Sequence, residues 1–147
     1  MLPDLVPGYR ADLAKAIAAM PASRLIGLRV LGFAPGVSVI ELPIRPELTF
    51  DGYTVQGGIA GSLADYAAVS AAIVAKPDGW LGSTVNFQVH NLDRASGEKL
   101  VAIGRCVGSG SWTGLGSAEV YAVDGDKHTL VVMATAGCQY IKPAGKG

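Results

Sequence analysis

The sequence predicts an α+β fold, a strongly curved antiparallel sheet wrapped around one long central helix. Three observations carry this expectation. The stretch from about Gly57 to Val74 is built almost wholly from Gly, Ala, Val, Ile and Leu. A helix there is apolar nearly all round, so it must be enclosed rather than laid on a surface. Strand-like segments come in runs, two before that helix and four after it, which is not the alternation of a parallel sheet. The later segments are separated by RASGE, SGS and DGDK, all turn chemistry.

Taken in order, YRADLAKAIAAM puts Leu13, Ile17 and Met20 on one helical face, and Pro21 stops it. Residues 1–22 thus form an N-terminal helical cap. RLIGLRVLGF and VSVIELPI are two strands joined at APG. PELTFDGYTV is a loop, and the long helix follows. KPDG is a turn. Four strands are expected near 81–92, 98–108, 112–123 and 127–138, with 143–147 a flexible tail. TVNFQVHNL alternates, so Val85, Phe87 and Val89 point one way and Thr84, Asn86, Gln88 and His90 the other.

A chain of 147 residues fits one domain with a substantial core. With half its residues apolar and 16% charged, it is not a disordered chain, and some surface is expected to be hidden by self-association. A formal net charge of zero without any basic run argues against nucleic acid as a partner. Cys106 and Cys138 are expected as two free thiols in a reducing cytoplasm. MLPDLVPGYR lacks a basic region followed by an apolar one, so no signal peptide is expected. Residues 57–75 approach membrane-spanning length, but Asp65 at their centre and the KPDGW that follows argue against a span. There is no GxSxG elbow, P-loop or dinucleotide fingerprint, and His90 and His128 lack metal-ligand spacing. Neither a metal nor a resident cofactor is expected. Trp80 and Trp112 are read as core or interface residues rather than ligand stackers.

VQGGIAGSLADYAAVSAA resembles the signature of the PaaI-like hotdog thioesterases, within the 4-hydroxybenzoyl-CoA thioesterase superfamily. That signature is His-Gly-Gly with an Asp or Glu eight residues after the first Gly, inside a helix of small residues. STVNFQVHNLDRASGEKLVAIGRCV is similar to the family's second block, and together they cover roughly residues 25 to 138. The resemblance implies a hotdog fold, hydrolysis of an acyl-CoA or other acyl thioester, coenzyme A as part of the substrate rather than a cofactor, and a homodimer or dimer of dimers.

The residues make chemical sense by themselves. Gly57 and Gly58 open the helix, where the first N–H groups have no internal partner and the dipole favours negative charge. Glycine lets a ligand approach that backbone, which can polarise a thioester carbonyl and hold its oxyanion. The plain structural alternative is a tight turn into the helix with no ligand. Asp65 can attack the thioester carbon or take a proton from water; its alternative is pairing with an Arg or exposure to solvent. Its helical neighbours Gly61, Ser62, Ala68 and Val69 offer no cation. Eight residues of helix span about 12 Å, so one carbonyl cannot reach both the Gly57 N–H and the Asp65 carboxylate of one helix. If both act, they come from different chains, with two helices antiparallel across a two-fold axis.

Four positions mark the limits of the resemblance. Gln56 stands where the family has His; it can hydrogen-bond near the carbonyl or water but cannot carry a proton near neutral pH. Ser83 matches a position where some members use a hydroxyl to position water. Phe50 replaces an Asn or Gln that touches substrate, and Asp51 and Gln56 are the substitutes at hand. In the VGSGSWTG turn, Ser111 after Gly110 stands where many members carry a basic residue. Backbone and serines there can cradle a phosphate, with Arg94, Lys99 and Arg105 as the candidate cations. Two other functions compete: a catalytically idle hotdog that binds an acyl-CoA or small apolar ligand, and a dehydratase or hydratase, which needs a His beside the acid. An acid among alanines gains a mere binder nothing.

Overall fold

The computed structural model describes residues 2–145, so the end of the expected tail, 146–147, lies outside the described residues. The element order is α1 (Ala11–Ala19), α2 (Pro21–Ile26), β1 (Arg29–Ala34), β2 (Val37–Pro43), a 3-10 turn at Pro46–Leu48, α3 (Gly57–Ile73), β3 (Leu81–Asn91), β4 (Lys99–Ser109), β5 (Thr113–Asp124) and β6 (Lys127–Ile141). The strands form one sheet in the order β1-β2-β4-β5-β6-β3, antiparallel throughout. β1 and β3 are its free edges, so the sheet is not a closed barrel.

The sheet curves around α3. Leu63, Ala64, Ala67, Ala68, Ala71 and Ala72 are all at 0% exposure. Small side chains let the strands come close, and two strand glycines complete the fit. A Cβ on Gly104 of β4 would land on the carbonyl oxygen of Ala67, and one on Gly116 of β5 on that of Ala68. Ser38 of β2 and Ser70 of α3 share a buried hydrogen bond of 2.6 Å. On the outer face of the sheet a second small core gathers Val39, Val101, Ile103 and Val123 under Leu5. No helix among the described residues is long and apolar enough to cross a membrane.

The N-terminal segment differs from the expectation in one respect. Pro21 ends α1 but also begins α2, so the first residues expected as a strand, RLI, are helical. Proline is well placed at the first position of a helix, where its missing N–H costs nothing. Gly27 then closes α2 in the left-handed region (φ 81) and donates its N–H to the Ser23 carbonyl at 2.9 Å.

Arg10 fixes this cap onto α3. It is buried, with φ 48, the one non-glycine residue at positive φ among those described. Its guanidinium donates to the carbonyls of Ile73 (3.0 Å), Lys76 (2.9 Å) and Trp80 (2.9 Å) and pairs with Asp12 at 2.9 Å. That hydrogen-bonded guanidinium holds the Asp12 carboxyl down at about 2. Farther along, Ser23 Oγ donates to Tyr66 Oη at 3.1 Å. The start of α1 therefore sits at the end of α3, and α2 lies beside the middle of α3.

Candidate active site

Asp65 lies halfway along α3 on the side facing the first residues of β3. Thr84 Oγ1 donates to its Oδ1 at 2.9 Å and lies 3.2 Å from Oδ2. Simple alternation assigns Thr84 to the opposite face, with Asn86 and Gln88. A β-bulge between Thr84 and Asn86 is the reason it does not lie there. Thr84 pairs with Cys138, and Asn86 with Gly137, so Val85 is the extra residue. Such a residue inverts the inward–outward parity of the strand. Before the bulge Gly82 and Thr84 face α3; after it Phe87 and Val89 do. Val85, expected on the same face as Phe87 and Val89, is instead the residue left without a register partner on β6.

The hydroxyl bound to Asp65 thus belongs to Thr84, one residue beyond Ser83. Ser83 is exposed and borders the same cavity without a hydrogen bond to the carboxylate. The sequence signal for Thr84 was present in STVNF, but reading it required the bulge.

Asp65 opens into a cavity of about 450 Å³ between α1, α3 and the start of β3. Among the described residues no cation lies within ion-pairing distance of it. Burial pushes its carboxyl above the ordinary 3.8, and the Thr84 hydroxyl pulls it partly back. A carboxylate without a cation, in a mostly apolar cavity, is poised to take a proton or to attack.

The opening of α3 is a separate station. Gln56 is its N-cap, and its Oε1 accepts the Ile59 N–H at 3.1 Å. Gly58 leaves room for this, because a Cβ there would stand 2.9 Å from Gln56 Oε1. Among the described residues the N–H groups of Gly57 and Gly58 donate to no acceptor. Gly57 faces Asn91 at the far end of β3, where an added Cβ would lie 3.2 Å from Nδ2. Asn91 is a polar neighbour of the helix opening that the sequence reading did not single out. Within the chain, Thr84 and Asn91 thus mark the two stations, Asp65 beside the first and Gly57 beside the second.

Phe50 sits on the loop closed by the Thr49–Val55 bridge, 69% exposed, with Tyr53 beside it at 77%. Asp51 is not free to replace a substrate-touching amide, since its Oδ1 accepts the N–H groups of Tyr53 (2.8 Å) and Thr54 (2.6 Å). The Gly110 N–H closes the β4–β5 hairpin onto the Thr113 carbonyl at 2.8 Å, and Ser111 is exposed at its tip. Gly110 borders a shallow depression with Asn86 and Gly137; neither it, Ser111 nor Phe50 lines the cavity at Asp65. Of the candidate cations, Arg94 lies 3.6 Å from Asp51 and Lys99 lies 3.2 Å from Glu41, while Arg105 is exposed. Trp112 is 74% exposed, whereas Trp80 meets the ring of Tyr140 edge-on at 6.3 Å. Cys106 and Cys138 are both free thiols, and Cys138 is buried.

If ionised Asp65 is the reacting group, activity falls on the acid side as the pH drops through its raised value, so the limb lies above 3.8. Thr84→Val removes the influence that lowers this value, and the acid limb is expected to move to higher pH. A kcat/KM–pH profile of the two proteins measures it; an unmoved limb would separate the limb from Asp65.

An antiparallel sheet wrapped around a buried helix is the hotdog fold, and solved structures share it. A thioesterase family protein from Silicibacter pomeroyi superposes with a TM-score of 0.84 at 24% identity, over 91% of this chain and 98% of that one. The PaaI protein of the phenylacetic acid degradation operon of E. coli gives a TM-score of 0.78 at 16% identity, over 94% and 98%. Zebra fish thioesterase superfamily member 2 gives 0.71 at 21% identity, over 87% and 93%. No family model matches the chain. No curated protein matches it either. The chain therefore has the hotdog fold of thioesterase-superfamily proteins, PaaI among them.

Proposed function

We propose that this protein hydrolyses an acyl-CoA or other acyl thioester to the free acid and thiol, at a site shared between two copies of the chain. The observation that carries the reading is Asp65: a carboxyl whose pKa is raised by burial, held by one hydroxyl, unpaired with any cation among the described residues and open to a mostly apolar cavity. The hotdog neighbours named as thioesterases support it.

The free edge of β3 supports the two-chain site. β3 has eleven residues and hydrogen-bonds to β6 on one side only. Exposed Val85 and Phe87 lie along it and Leu92 follows it, as an edge strand that stays unpaired in solution would avoid. Pairing two β3 strands antiparallel about Gln88, with Val85 left out of the register at the bulge, sets Thr84 opposite Asn91 of the partner subunit. Asp65 of one chain then stands near Gly57 of the partner subunit. Asp65 acts as nucleophile or general base, and the free Gly57 N–H polarises the carbonyl. Gln56 orders the helix opening, Thr84 holds the carboxylate and Ser83 lines the approach. Two such dimers associating into a tetramer fit the same reading.

The test mixes two inactive variants, Asp65→Asn and Gly57→Val, refolded together. In a mixed dimer one site carries both defects and the other carries neither. Random pairing makes about half the dimers mixed, so activity returns to roughly a quarter of wild type per chain. A preparation proven by native mass spectrometry to contain mixed dimers, yet inactive, would place the site within one chain.

A further inference from the structure

We infer that the cavity leading away from Asp65 is a channel for an unbranched acyl chain of medium length, about eight to ten carbons by the helix and strand rises that measure it. The inference rests on the thioesterase reading above and names its substrate class.

The cavity has a direction. On one side Asp65, Val69 and Ile73 succeed one another at one-turn intervals along α3. From Asp65 to Ile73 the helix rises about 12 Å. On another side β3 runs from Thr84 back to Leu81, about 10 Å. The two rulers agree, and both start at the carboxylate. Ile141, which pairs with Leu81, borders the far end. The roof is the apolar face of α1, where Leu13 is 1% and Ile17 3% exposed. Arg10 anchors the start of α1 at the carbonyl of Ile73.

The lining chemistry selects hydrocarbon. Two hydroxyls along the channel are already engaged, Tyr66 by Ser23 and Ser70 by Ser38. Among the described residues no buried side-chain nitrogen or oxygen lacks a partner. The polar groups left at the channel are Asp65, Thr84 and Ser83, and all three stand at the same end. A thioester carbonyl placed there sends its acyl chain down the apolar length. A chain of eight to ten carbons, about 10–12 Å extended, reaches the far wall. A compact aryl group fills only the end near Asp65.

The experiment measures kcat/KM by thiol release for straight-chain acyl-CoAs from acetyl to palmitoyl, with benzoyl- and phenylacetyl-CoA alongside. The value is expected to rise about two- to fourfold per methylene, to peak at octanoyl or decanoyl and to fall by palmitoyl. Val69→Phe fills the middle of the channel and is expected to lower the decanoyl-to-butyryl ratio at least tenfold. Leu81→Trp fills the far end from a half-buried position and tests the same ratio should Val69→Phe fail to fold, which a thermal melt decides. A peak at acetyl or at an aryl substrate, a flat profile, or variants with an unchanged ratio would overturn the chain-length assignment and leave thioester hydrolysis standing. A folded protein that releases thiol from no member of the series overturns both.

Discussion

On the proposed function, Asp65→Asn is expected to lower thioester hydrolysis by at least about a hundredfold, the scale for losing a positioned base. Asn keeps the shape of the side chain and can still accept from Thr84 Oγ1, so the cavity is preserved while the charge is lost. Stability moves the other way. The folded-state value of Asp65 lies above its ordinary 3.8, because burial disfavours the charged form. The ionised carboxylate therefore opposes folding once the pH exceeds that raised value, and the opposition vanishes as the pH falls below the ordinary one. Asp65→Asn is expected to be as stable as the parent, or more so, at neutral pH, with the advantage gone in acid. Thiol-release kinetics and paired melts at two pH values measure both. A variant that retains most of its activity removes Asp65 from the mechanism; one that loses activity because it unfolds contradicts the electrostatics.

Gly116→Ala destabilises the fold by about 3 kcal/mol or more, at the upper end for forcing atoms into a filled core. The added Cβ would occupy the place of the Ala68 carbonyl oxygen, so β5 or α3 must move. Neither is free to. α3 is enclosed by β2, β3, β4, β5 and β6, and its Ala67–Ala72 stretch is almost entirely without exposed surface. Gly104→Ala meets the Ala67 carbonyl in the same way, so the strands on both sides depend on glycine. Chemical denaturation gives the magnitude, with Gly108→Ala as the control, since nothing stands within 4 Å of a Cβ built there. Equal midpoints for Gly116→Ala and Gly108→Ala would show that the sheet does not grip α3 as tightly as described.

The candidate site was legible in parts. Asp65 among alanines and the glycines at the helix opening were visible because the helical period and the absence of neighbouring cations are properties of adjacent residues. Gln56 was visible as a polar residue before the helix, but its engagement with the Ile59 N–H is a matter of side-chain geometry. Thr84 and Asn91 were missed for one reason. Each takes its place from the path of β3, and that path is set by the pairing of β3 with β6, some fifty residues away in the chain.

By itself the sequence determined the elements: an all-round apolar helix that has to be enclosed, strands cut by turn residues, and an acid isolated on that helix. These follow from short-range periodicity and turn chemistry, which neighbouring residues specify. Three things were decided only by tertiary structure. The bulge at Val85 inverted the parity of β3 and brought Thr84 rather than Ser83 to the carboxylate. Arg10 adopted a left-handed backbone because the carbonyls at the end of α3 gave its buried guanidinium partners more than sixty residues away. The channel at Asp65 arose where Leu13 and Ile17 of α1 were held over Val69 and Ile73 of α3. In each case the deciding contact joins segments far apart in the chain, and its free energy exists only once the sheet has closed around the helix.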